Sequence, residues 1–194
     1  NQFSRSISLD IASSTQSENG TTQLNIDESY LSFSNLPLKS TISVGKKLLS
    51  FGKLNQSATE TRPFNDTPLA FTSLIGDGLG GNIVNLQTQF SIVNLEYSYT
   101  NEADSSDAND GSPLSLSYPL HCLRTVGIIT SKTTSLEIGA NRIWSNTNTD
   151  GITTPIQSVD LTGSIKLTDT MSIDTLSELF QTPVLTSNKK QSGL

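Results

Sequence analysis

The strongest constraint on this chain is an alternation of apolar and polar residues that recurs along most of its length. A period of two residues is the signature of a β-strand with one apolar and one polar face. The alternating segments cover residues 3–11, 24–33, 42–44, 93–99, 136–140 and 159–167. Helical periodicity is nearly absent, and its best example, residues 170–180, reads equally well as a strand. The pattern therefore predicts an all-β chain.

Turn-forming residues separate these segments. Asn19-Gly20 is typical of a hairpin turn, Asn35-Leu36-Pro37 ends a strand, and Thr168-Asp169-Thr170 predicts a tight connection. Two stretches, 55–81 and the acidic 101–112, interrupt the alternation, but the same pattern resumes after each. We expect about nine strands in an antiparallel meander, within a single β-barrel domain spanning residues 1–194.

Strand length and composition favour a transmembrane barrel. The runs 22–34, 39–50, 133–144 and 156–168 exceed the roughly 5–6 residues of globular strands and suit the roughly 9–11 of a membrane-spanning strand. Hydrophobic residues are only 34% of the 194 residues, and 30 Ser, 24 Thr and 15 Asn replace them. A barrel with lipid outside and a polar lumen inside explains this balance. A secreted or surface β-sandwich, whose apolar face packs on a second sheet, remains the alternative.

Several classes of function conflict with the composition. A net charge of -6 argues against nucleic-acid binding, and a single Cys excludes both a disulfide framework and a cysteine-based zinc site. His121 and Cys122 are adjacent, so on a strand their side chains point to opposite faces. The acidic stretch 101–112 fails the calcium-loop spacing and reads as a solvated loop. We therefore expect no catalytic, cofactor or metal site, and no enzyme.

The barrel interpretation assigns roles to particular residues. Charged residues on polar faces would line the pore, namely Glu96, Glu137, Asp160 and Lys166. Aromatic residues near strand ends would form an interfacial girdle, namely Tyr30, Phe33, Tyr97, Tyr99 and Trp144. The stretch 55–81 is the best candidate for a loop that folds inward and narrows the channel. The acidic surplus predicts a preference for cations.

Ordered motifs resemble a known family. The series Asp-Glu-Ser-Tyr-Leu-Ser-Phe at 27–33, Ser-Val-Gly-Lys at 43–46 and Phe-Gly-Lys-Leu-Asn at 51–55 resembles porin-like Gram-negative outer-membrane β-barrel proteins. In these an acidic "EEAY-F" strand precedes a "VGK-FGxxN" strand. Later, residues 136–140 and 160–162 are similar to the family's "LELGxS" and "DLT" strands. The family includes porins and metal-regulated outer-membrane receptors.

This resemblance implies a place in the cell outer membrane and transport by passive diffusion of small hydrophilic solutes. The partners would be the lipid bilayer and those solutes, and a homo-oligomer is compatible. Family members often carry histidines after "FGxxN", whereas Gln56-Ser57-Ala58-Thr59 stands here, which argues against a metal role. Members are also longer. Because an open array leaves unpaired edges in lipid, we expect the barrel to be incomplete at the C-terminal end of this chain.

Overall fold

In the part of the chain that the structure describes, nine antiparallel strands form one sheet whose spatial order follows the chain order. The computed structural model describes residues 5–18, 21–56, 79–101, 119–145, 155–168 and 171–181. A 3-10 turn at Pro37–Lys39 and one short helix, α1 (Gly52–Gln56), complete the described elements. The strands are β1 Ser6–Glu18, β2 Thr21–Leu36, β3 Ser40–Leu48, β4 Gly80–Phe90, β5 Val93–Thr100, β6 Leu120–Thr130, β7 Thr134–Ser145, β8 Ile156–Lys166 and β9 Ser172–Gln181.

The predicted all-β meander of about nine strands is confirmed, and strand β9 occupies the ambiguous segment from Ser172 onward. Two strands lacked a clear signal in the sequence. β4 begins inside the stretch that was predicted to be a loop, and β6 carries apolar residues on both of its faces, which hides the alternation. The expected turns at 19–20 and 169–170 lie outside the described residues.

The connections alternate between the two ends of the sheet, because successive antiparallel strands reverse direction. Long connections run through residues 49–79, 101–119 and 146–155 at one end, which we call the long-connection end. Short connections run through 37–39, 91–92, 131–133 and 167–171 at the other, the short-turn end. The two-residue connection between β1 and β2 also lies at the long-connection end, so the separation by length holds for the other seven connections. Such a separation is typical of barrels that cross a membrane.

The two faces of the sheet differ in chemistry. Residues directly opposite each other on paired strands share a face. One face, here the polar face, carries the row Ser32, Ser43, Asn85, Ser98 and Cys122 across β2 to β6. The other, the apolar face, carries Leu31, Val44, Val84, Tyr99, His121 and Trp144 across β2 to β7.

The apolar face is the exposed one. Ile7 is 67%, Leu24 70% and Leu179 75% exposed, whereas Ser98 and Asp160 on the polar face are 0% exposed. A register irregularity between β1 and β2, where Ala12 pairs with Glu28 but Ser13 pairs with Ile26, keeps the apolar residues of β2 in phase along its whole length. This distribution is the reverse of that in a water-soluble sheet, where large apolar side chains are buried.

The sheet curls around its polar face. In a flat sheet, six inter-strand spacings of about 4.8 Å would separate β3 from β9, or roughly 29 Å. Yet Gly52, four residues beyond the end of β3, lies against the Glu178 carboxylate on β9, and the Phe51 and Phe180 ring centroids are 6.1 Å apart. Four extended residues reach at most about 14 Å. The strands therefore bend toward each other.

The described strands do not close into a barrel, so the predicted closure stays a prediction. β1 pairs with β2 alone and β9 with β8 alone, so the curled sheet has two open edges within the described part of the chain.

A small apolar cluster lies on the polar face at the long-connection end. Its members are Leu49, Phe51, Leu79, Ile83, Leu120, Cys122, Ile143 and Ile156, with Leu176 and Phe180 packed against it.

Candidate functional site

A buried charged network lies on the polar face across β6, β7 and β8. Arg124, 2% exposed, binds the fully buried Asp160 through two parallel hydrogen bonds, Nη1 to Oδ2 at 2.7 Å and Nη2 to Oδ1 at 3.0 Å. Arg124 Nη1 also donates to Asn141 Oδ1 at 2.7 Å, and Nη2 reaches Glu137 Oε1 at 3.3 Å. Buried ions are tolerated only when paired and hydrogen-bonded, and this guanidinium satisfies both conditions.

Asn141 completes the surroundings of the Asp160 carboxylate. Its Nδ2 donates to Asp160 Oδ2 at 2.8 Å and to Ser158 Oγ at 3.0 Å, so one amide links the ion pair to β8. The Ser158 hydroxyl in turn donates to Glu178 Oε1 at 3.4 Å on β9. The network therefore extends over four neighbouring strands and has the fixed geometry of a bidentate arginine–carboxylate pair.

A second polar group continues the network toward β4 and β5. Asn85 Nδ2 donates to Glu96 Oε1 at 2.7 Å and to Ser98 Oγ at 2.8 Å. The Ser50 hydroxyl also donates to the Glu96 carboxylate. Because Glu96 lies directly opposite Arg124 in the register of β5 and β6, the two polar groups adjoin.

Residues 49–56, which we call the docked segment, lie on the polar face over this network. Lys53 Nζ binds both carboxylate oxygens of Glu137, at 2.9 and 3.1 Å. The Cys122 thiol donates to the Ser50 carbonyl at 3.2 Å. Contacts with β5, β6, β7 and β9 thus hold the segment inside the curled sheet.

Asn55 ties together the two ends of the connection between β3 and β4. Its Nδ2 donates to the carbonyls of Leu49 at 2.6 Å and Leu79 at 3.0 Å, and its Oδ1 accepts the Leu79 N–H at 2.8 Å. Leu49 N–H also donates to the Leu79 carbonyl at 2.8 Å. Of the stretch 55–81, the candidate for a loop that folds inward, residues 55–56 and 79–81 are described and residues 57–78 are not. Asn55 and Leu79 are both buried.

All four residues predicted to line a pore lie on the polar face. Glu96, Glu137 and Asp160 meet in the network, whereas Lys166 follows the same alternation at the short-turn end of β8 and is exposed. Sequence reasoning missed Arg124, Asn141 and Lys53. A signal for Arg124 was present, because a charge within the otherwise apolar stretch of β6 needs a partner if it is buried.

The predicted aromatic residues divide between the two faces. Tyr97, Tyr99 and Trp144 surround His121 on the apolar face, toward the long-connection end: Tyr97 Oη and His121 Nδ1 are 2.7 Å apart, and the Trp144 ring stacks on the imidazole at 5.4 Å. Phe33 also lies on the apolar face, nearer the short-turn end of β2.

Tyr30 differs from the other predicted girdle residues, because it lies on the polar face. It pairs with Gly45 in the register of β2 and β3, and the Lys47 ammonium lies 4.9 Å from the centre of its ring. The two-residue alternation of β2 explains this position. Tyr30 shares its face with Ser32, two residues along the strand, whereas Leu31 and Phe33 occupy the other face.

The described residues do not form a metal centre. The described segments contain no group of three or more His, Cys, Asp and Glu side chains arranged to bind a metal ion. His121 and Cys122 lie on opposite faces of β6, so they do not share a site.

Of the helical residues described, none belongs to a helix long and apolar enough to cross a bilayer. No protein-family model, curated protein or solved structure matches this chain.

Proposed function

We propose that this chain forms wall strands of a porin-like β-barrel in the outer membrane of a Gram-negative cell, through which small hydrophilic solutes diffuse passively. The observation that carries the proposal is the inverted burial of the sheet. Aliphatic side chains such as Ile7 and Leu179 are exposed, while the Arg124–Asp160 ion pair is buried on the opposite face.

Contact with lipid would remove the free-energy cost of exposing these apolar side chains to water. Moving an aliphatic side chain of this size out of water is worth roughly 1.5–3 kcal/mol, and water-soluble monomers rarely expose more than a few hundred Å² of contiguous apolar surface. The apolar face presents such side chains on all nine described strands, namely Leu9, Leu31, Val44, Leu86, Leu95, Ile129, Ile138, Leu161 and Ile173. Hydrocarbon around that face would leave none of them in water.

The aromatic cluster supports one membrane interface at the long-connection end. Tyr and Trp rings favour the boundary between hydrocarbon and headgroups because each has an apolar body and a polar tip. Tyr97, Tyr99 and Trp144 share that level of the sheet, with the Arg142 guanidinium carbon 5.9 Å from the centre of a Trp144 ring. In this arrangement the long connections lie outside the cell and the short turns face the periplasm.

A closed barrel also requires partners for the free edges of β1 and β9, because lipid supplies no hydrogen bonds to backbone groups. Further strands would complete the wall. The docked segment would narrow the passage, and Glu96, Glu137 and Lys53 would set its charge. The acidic surplus of the chain, net -6, favours cations.

Trp144, the only tryptophan of the chain, provides a direct test. The protein is reconstituted into vesicles that contain brominated phospholipids, and tryptophan fluorescence and ionic conductance are measured on the same preparation. The barrel predicts strong quenching and steady, ohmic conductance. A protein that stays folded and monomeric in water without detergent, with unquenched fluorescence, would instead favour the sandwich.

A further inference from the structure

A cavity of about 520 Å³ lies beside the β2–β3 turn at the short-turn end, away from the docked segment. Its described lining combines two cations with apolar side chains and includes no carboxylate. The lining residues are Arg5, Asn35, Leu36, Pro37, Leu38 and Lys39.

The backbone around this cavity adopts an unusual shape. Asn35, Leu38 and Lys39 all have positive φ angles, 58°, 62° and 54°, although none is a glycine. Left-handed backbone is uncommon for such residues, and conformations of this kind cluster at ligand-clamping sites. The pairing of Ser6 with Ser34 brings Arg5 beside this turn.

The chemistry of the lining matches an anion with an apolar tail. Two cations at one cavity are not a by-product of a basic surface, because the chain carries a net charge of -6. Arginine presents a planar fork of donors that suits phosphate oxygens. Leu38 is 71% exposed, and Leu36 pairs with Ser40 in the register at the edge of the apolar face.

We propose that this cavity binds a phospholipid with an anionic headgroup, whose phosphate lies between Arg5 and Lys39 and whose acyl chain runs past Leu36 along the apolar face. The site goes beyond the proposed function, since it needs neither a pore nor a transported solute. It places the short-turn end at the level of phospholipid headgroups.

Native mass spectrometry of the purified protein, released from detergent with added phosphatidylglycerol, tests the site. We expect the unmodified chain to retain one lipid, and the double variant Arg5→Gln/Lys39→Gln to retain it about tenfold less, the effect of losing charge-assisted hydrogen bonds. Lys132→Gln is the matched control, because Lys132 is an exposed cation in the turn at 131–133 of the same end and does not line the cavity.

Further arms identify the ligand. Phosphatidylcholine, whose headgroup has no net charge, should be retained less than phosphatidylglycerol. Complete displacement of the lipid by inorganic phosphate would make a free anion the ligand and overturn the assignment. Equal retention by the double variant, or an equal loss in Lys132→Gln, would also overturn it. The assay measures lipid retention and not conductance, so it tests this lipid site even if the chain forms no pore.

Discussion

The Asp160 carboxylate lies directly against Gly139 on the neighbouring strand, at the position that a Cβ atom would occupy. A side chain there would overlap all three carboxylate atoms. The two residues pair in the register of β7 and β8, so the absence of a side chain at Gly139 gives Asp160 room to meet Arg124. The buried Arg124–Asp160 ion pair therefore depends on a glycine at position 139.

Gly139→Ala should therefore destabilise the protein. The added methyl group displaces the carboxylate from Arg124, and overpacking of this kind costs roughly 1–3 kcal/mol of unfolding free energy. Gly127→Ala is the matched control, because a Cβ at Gly127 meets only the Ile138 carbonyl oxygen at 4.0 Å. Urea unfolding in detergent measures both variants. Equal stability of the two would show that the close approach of Gly139 and Asp160 has no energetic consequence.

Asn55→Ala should loosen the docked segment. Three hydrogen bonds to Leu49 and Leu79 are lost. The two carbonyls keep the Phe51 and Leu49 N–H groups as donors, whereas the Leu79 N–H loses the Asn55 oxygen, and a buried backbone group left without a partner costs roughly 1–3 kcal/mol. Hydrogen exchange at the amides of residues 49–56 should accelerate, while exchange in β6 and β7 should not change. Asn101→Ala, an exposed position beside β5, serves as the control. Unchanged exchange in the docked segment would mean that other contacts hold it.

The Lys53–Glu137 pair should affect ion selectivity more than stability. Both side chains are partly exposed, 33% and 21%, and such pairs contribute at most about 1 kcal/mol. If the polar face lines a pore, Lys53→Gln should increase cation preference and Glu137→Gln should reduce it, as read from reversal potentials in a salt gradient. Lys132→Gln should leave the potential unchanged. Shifts in the same direction for Lys53→Gln and Glu137→Gln would contradict a lumen at this place.

Ile138→Arg separates a membrane wall from a water-soluble sheet. Ile138 lies on the apolar face of β7 and is 47% exposed, so in water an arginine there would be nearly neutral. On the lipid face of a barrel the same charge costs about 2–4 kcal/mol at the bilayer midplane. Folding yield into lipid vesicles should therefore fall, whereas Gln87→Arg on the polar face should fold like the original chain. Equal yields would speak against lipid contact at Ile138.

Alternation in the sequence was sufficient to predict most of the strands and most of their faces, because a residue's face depends only on its neighbours along the same strand. This reasoning failed where the two-residue alternation was interrupted or was obscured by apolar residues on both faces. Tyr30 lies on the polar face in spite of the apolar residues around it, and β6 was not recognised since its two faces are both partly apolar.

The contacts that build the candidate site were decided by tertiary structure. Arg124 meets Asp160 only because β6, β7 and β8 pair in one particular register, and Phe51 meets Phe180 only because the sheet curls. Both contacts join residues far apart in sequence, and their positions depend on strand pairing, twist and the space beside Gly139. Local periodicity determined which side chains share a face, and the register and curvature of the whole sheet determined which of them touch.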